Sequence, residues 1–84
     1  MLKTYEVTNL FNGKVDTVLA YHMEDAMIHF LCDHFFPPFI ALMVREQIRM
    51  YGLSSVAHIG TLQPNHLIYE SGGHVCEWEF ILKG

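Results

Sequence analysis

The sequence predicts an α+β domain: a largely antiparallel β-sheet of about five strands, order ββααβββ, packed on one face by two helices. Three observations carry that prediction. Alternating apolar and polar residues occupy both ends of the chain, and helical apolar spacing occupies the middle. Asn12-Gly13, Pro37-Pro38 and Gly72-Gly73 punctuate the boundaries. At 84 residues the chain forms one compact domain, 1–84. A single core of that size supplies only about 3–5 kcal/mol, so association is a natural supplement.

Each element has a local reason. Tyr5-Glu6-Val7-Thr8 alternates, Val15 to Tyr21 is rich in β-branched and apolar residues, and Asn12-Gly13 between them suits a type I′ turn, giving a β-hairpin. From Met23 the period changes. Met23, Ala26, Met27, Phe30 and His34 share one helical stripe, with Glu24 and Asp25 in the first turn, where the helix dipole favours anions. Helix 1 ends near Phe35 or Phe36, because the residues before Pro37-Pro38 are pushed out of helical geometry. Pro38 opens helix 2, which runs to about Tyr51 with Gly52 as its C-terminal residue. Strands follow at Val56 to Leu62, His66 to Glu70 and Val75 to about Leu82, separated by Gln63-Pro64-Asn65 and Ser71-Gly72-Gly73. In the last of these Cys76, Trp78, Phe80 and Leu82 point to the core, while Glu77, Glu79 and Lys83 point away.

The helices hold more apolar surface than one sheet face can cover. Phe35 to Val44 is a run of ten uncharged residues. It is too short for a membrane span, which takes roughly 20 residues, and its two prolines would interrupt one. On helix 2, Ile40, Val44, Ile48 and Tyr51 form the stripe assigned to the sheet, leaving Phe39, Met43 and Met50 on a flank and Leu42 apart. Helix 1 likewise carries Ile28, Leu31, Cys32 and Phe35 opposite its core stripe. Either the helices bury these second stripes against each other, or Phe36, Phe39, Leu42 and Met43 form a partner-binding surface, for which adaptable methionine side chains are suited. The same corner is the expected seam of a homodimer.

Composition excludes several classes of function. Nine acidic residues against five basic give a net charge of −4, and the five cations are dispersed, which disfavours direct nucleic-acid binding. The acids form no run of phosphate-like spacing, so mimicry of a nucleic acid is disfavoured as well. Residues that are 51% hydrophobic exclude disorder. The opening Met1-Leu2-Lys3-Thr4-Tyr5 leads straight into a strand pattern with no apolar signal region, and two cysteines suit a reduced, cytoplasmic chain with no membrane association.

No catalytic or cofactor motif stands out. Six histidines raise the alternative of a histidine and cysteine metal-binding regulator or small metal-dependent enzyme, with His29, Cys32, His74 and Cys76 as a possible tetrahedral set; their spacing matches no zinc-finger pattern. Cys76 beside His74, or Cys32 beside His29 or His34, has the composition of an activated thiol, but nothing supplies an oxyanion donor. Ser71-Gly72-Gly73 precedes a strand and lacks a lysine, so it reads as a turn and not a phosphate loop. Glu77 and Glu79, on one face of the last strand, suit polar contact with a basic partner better than acid–base chemistry.

The layout resembles small phage-encoded anti-CRISPR proteins. Met1-Leu2-Lys3-Thr4-Tyr5-Glu6-Val7, a hairpin leading into Met23-Glu24-Asp25-Ala26, and the terminal Cys76-Glu77-Trp78-Glu79-Phe80 carry the resemblance. One such family, which blocks the nuclease domain of a CRISPR effector, is similar in length, in its Lys-Thr-Tyr start and in a cysteine shortly before Trp-Glu-Phe. The similarity is confined to the two chain ends. It implies a non-enzymatic inhibitor working by occlusion. With the small size, acidic balance and surplus apolar surface, the expected target is a bacterial CRISPR effector subunit in the host cytoplasm, contacted through Phe36, Phe39, Leu42, Met43, Glu77 and Glu79; the residues themselves indicate no cofactor and no metal.

Overall fold

The computed structural model describes residues 1–84, apart from the side chain of Leu62. The strands are β1 (Lys3–Asn9), β2 (Val15–Ala20), β3 (Ile59–Gln63), β4 (His66–Ser71) and β5 (His74–Leu82). Between β2 and β3 lie helix α1 (Met23–Phe30), a π-helical turn (Leu31–Phe35), helix α2 (Pro38–Tyr51) and a 3₁₀ turn (Leu53–Ser55). The sheet order is β2-β1-β5-β4-β3 and every neighbouring pair is antiparallel. The ββααβββ architecture is that of the α+β class.

The turns differ from their sequence reading in an instructive way. Residues 10–14 connect β1 and β2 as a longer loop, in which Asn9 Oδ1 accepts from the N–H of Phe11 at 2.9 Å and Gly13 N–H donates to the Asn9 carbonyl at 2.8 Å. A type I′ turn needs positive φ at both central residues, and here Gly13 has it (φ 76°) but Asn12 does not. The paired positive φ values belong instead to Gly72 (57°) and Gly73 (85°), which close β4 onto β5 with Ser71 opposite His74. Strand β3 begins at Ile59, not Val56. The chain before it curls through the 3₁₀ turn, and His58 turns a corner with φ 71°.

α1 starts with reciprocal capping. His22 Nδ1 accepts from Asp25 N–H at 3.2 Å, while the Asp25 carboxylate accepts from Tyr21 N–H at 2.9 Å. The helix then widens into the π turn, whose closing bond runs from Phe36 N–H to the Leu31 carbonyl at 2.8 Å. Pro37 and Pro38 have no N–H with which to extend that ladder, so Phe36 becomes extended (φ −78°, ψ 145°) and α2 leaves at a corner.

The core lies between one sheet face and α1 with its π turn. Tyr5, Val7, Val18, Ala20, Leu67, Trp78 and Phe80 point inward from the sheet; Ala26, Met27, Phe30 and Leu31 meet them from above, and Leu53 closes one side. Phe30 packs edge-on to Trp78 and Phe80, with ring centres 5.1 and 5.8 Å away, and Phe35 packs on Trp78 and Tyr69 at 5.0 and 4.9 Å. Most of the second stripe of helix 1 is therefore core: Leu31 and Cys32 are buried, and Ile28 and Phe35 are half-buried. His34, placed on the core stripe by its spacing, is exposed, stacking on Phe30 and lying 3.9 Å from Asp16. Leu82 is exposed at the strand end.

Candidate functional site

Helix α2 rests on the π turn and the 3₁₀ turn, since α1 and those turns already occupy the inner sheet face. Arg45 donates to Asp33 of the π turn at 2.8 Å, and Gln47 Nε2 donates to Ser55 Oγ of the 3₁₀ turn at 3.3 Å. Ala41 is the buried residue of the helix; Ile40, Val44 and Ile48 are half-buried. Tyr51 is exposed, which removes it from the stripe assigned to the sheet. The helix's other side carries Phe39, Leu42 and Met43 at 68%, 71% and 69% exposure, with Met50 further along. Three large apolar side chains this open to water within five residues make a contiguous exposed apolar face.

Next to that face is a groove of about 560 Å³ between α2 and the end of β4, lined by Phe36, Ile40, Met43, Val44, Val56 and Tyr69. Phe36 is half-buried, its ring 5.0 Å from Phe35 and 6.3 Å from Tyr69, so it forms the groove floor where the sequence suggested an outward contact. Met43 belongs to both the groove and the exposed face. The two together make a ridge beside a trough, the shape that an apolar side chain from a partner can enter.

Glu77 and Glu79 lie elsewhere. They point to the open face of the sheet, opposite the helices, so the six residues expected at a partner contact divide between two sides of the molecule. The basic group they meet is this chain's own His66, brought across by the β4–β5 register. His66 Nδ1 is 2.9 Å from the Glu77 carboxylate and Nε2 is 3.3 Å from that of Glu79. The hydrogen bond that the Glu77 carboxylate accepts holds the imidazole pKa above its ordinary value; burial opposes it and Glu79 reinforces it. An imidazole with a carboxylate at each nitrogen is a structural cluster with no free ring position for a substrate.

The remaining candidates are dispersed. Cys32 is buried, and that burial pushes its thiol pKa up, the opposite of an activated nucleophile. His29 sits between Asp25 and Asp33 along α1, at 3.3 and 3.6 Å, while His74 is exposed at the β4–β5 turn. Among the described residues no group of three or more His, Cys, Asp or Glu side chains is placed to hold a metal ion, so His29, Cys32, His74 and Cys76 do not form the tetrahedral set considered from their types. A second concavity of about 770 Å³ between α1 and β3, walled by Met23, Met27, Leu53 and Ile59, has Glu24 as the single ionisable group in its lining. No described helix is long and apolar enough to cross a membrane. Set against protein-family models, curated proteins and solved structures, the chain matches none of them.

Proposed function

We propose that this chain is a non-catalytic binding protein that occludes its target with the outward face of α2, the target being a subunit of a bacterial CRISPR effector complex. The observation that carries the binding reading is the exposure of Phe39, Leu42 and Met43 on a helix whose opposite face is already used for packing. Such side chains cost solubility when left in water and repay it when a partner removes them from it. The choice of target comes from the resemblance of the chain ends to anti-CRISPR proteins and from charge. A net charge of −4 draws the chain toward basic nucleic-acid grooves, where an apolar ridge can then hold it.

The test is direct. Cells whose CRISPR system restricts a plasmid should lose that restriction when they express the chain, and keep it when they express the folded variant Leu42→Glu/Met43→Glu. Unimpaired cleavage by purified effector complexes at saturating wild-type protein would reject the reading.

A further inference from the structure

We propose that strand β2 is a self-pairing edge, joining a second copy of this chain into one continuous sheet about a two-fold axis at Thr17. The inference begins with backbone directions. Asn9 N–H donates to the Lys14 carbonyl at 2.8 Å, whereas Thr4 exchanges bonds with the segment after β5, donating to Gly84 at 3.0 Å and accepting from Lys83 at 2.8 Å. In an antiparallel ladder these directions alternate, so the odd residues of β1 bond to β2 and the even ones to β5. The register pairs Tyr5 with Val18 and Val7 with Asp16. The even residues of β2 are therefore taken up by β1, and the backbone groups of Val15, Thr17 and Leu19 point away from the sheet. The next odd residue, Tyr21, obeys the same rule and has its N–H capped by the Asp25 carboxylate at 2.9 Å. β2 is the last strand on its side, so among the described residues those three meet no neighbouring strand.

The two edges of the sheet are unequal. At the far side β3 is five residues long, has a register shift between Thr61 and Gln63, and runs into Pro64. Shortness, irregularity and proline are among the devices by which natural sheets prevent edge pairing. β2 has none of these three, and of the natural devices it carries only one inward charge. It is six regular residues without lysine, proline or glycine, and its one charge, Asp16, turns to the helix side near His34.

The chemistry of β2 selects a copy of itself. Antiparallel pairing about Thr17 sets Val15 of one chain opposite Leu19 of the other, twice by symmetry, with Thr17 opposite Thr17. All three are bonded positions, giving about six backbone hydrogen bonds. Val15 and Leu19 are 51% and 57% exposed on the open sheet face, so the pairing covers two aliphatic cross-strand contacts that are otherwise wet. Thr17 at the axis presents no like charge to its mate. The α2 face lies on the opposite, helical side and stays free.

The experiment uses the full chain in sedimentation and in amide hydrogen exchange read residue by residue. Wild type should dimerise at micromolar concentration, and the amides of Thr17 and Leu19 should become slower to exchange as concentration rises. Val15→Lys/Leu19→Lys should weaken dimerisation at least about tenfold while retaining the wild-type circular dichroism spectrum. Thr17→Pro, which removes an outward N–H, should do the same should the lysines unfold the chain. Leu42→Glu/Met43→Glu should leave the dimer intact, which separates this edge from target binding. A wild-type monomer at high micromolar concentration overturns the proposal. So does a dimer that Met43→Glu dissociates while Thr17 exchanges freely, which would put the seam at the Phe36–Met43 corner.

Discussion

Trp78 and His66 sit on opposite sides of the same sheet and show what a single side chain does here. Trp78 is buried among Phe30, Phe35, Leu67 and Phe80, so Trp78→Ala removes the largest ring of the core. A cost of about 3–5 kcal/mol is expected, comparable to the whole stability of a domain this size, and circular dichroism should show an unfolded chain. His66 acts through charge. Folding raises its pKa above the ordinary 6.5, so the clamp's contribution is complete below that value and is lost as pH rises through the folded-state value. The urea midpoint of wild type should therefore fall from about pH 6 toward alkaline pH relative to that of His66→Gln. An NMR titration should place the imidazole pKa above 6.5 in wild type and lower in Glu77→Gln. A parallel pH dependence in wild type and His66→Gln would assign the titration to another group. The buried Cys32, with its raised thiol pKa, should react with thiol reagents more slowly than the half-buried Cys76, and a faster Cys32 would contradict the packing of the π turn.

Among the elements, α2 gives the sharpest separation of fold from binding. Leu42→Glu and Met43→Glu replace exposed side chains, so stability should change by no more than about 0.5 kcal/mol. Target affinity should fall by about 2 kcal/mol, on the order of 30-fold, as at an interface hot spot. The local pattern foresaw the inward row Trp78 and Phe80, the helix break before Pro37-Pro38 and the excess of apolar residues on α2, because each is set by periodicity or by a missing N–H within a few residues. It misjudged where α2 would lean. Ile40, Val44 and Ile48 look alike on a helical wheel whether they meet a sheet or two turns, and only the tertiary placement of α1 decides. The His66 clamp was legible in principle: a two-residue turn at Gly72-Gly73 fixes the register that sets His66 opposite Glu79 and Ile68 opposite Glu77. Reading Ser71-Gly72-Gly73 as a three-residue turn with the strand starting at Val75 left that register open, whereas the strand starts at His74 opposite Ser71. Sheet order and the free β2 edge come from contacts distant in sequence, on which local periodicity is silent.

For the whole molecule, the net charge of −4 makes approach to a basic partner depend on salt. The association rate should fall as ionic strength rises while the dissociation rate changes little, because the contact is apolar and the steering is not. Stopped-flow measurements across a salt series would show it, and a salt-independent association rate would mean that charge has no part in finding the target. The sheet order has a further consequence in time. β5 comes last in the chain and lies in the middle of the sheet, so during synthesis residues 1–71 can form at most two hairpins, β1–β2 and β3–β4, with nothing between them. Both inner edges stay unpaired, and the inward faces of Tyr5, Val7 and Leu67 stay open, until residues 74–82 clear the ribosome and slot in. Folding is then a single late closure in place of strand-by-strand growth. Ribosome-bound chains halted before that strand emerges should be digested by protease throughout. Those with it free should resist, so a nascent chain closes its sheet only after β5 has been made.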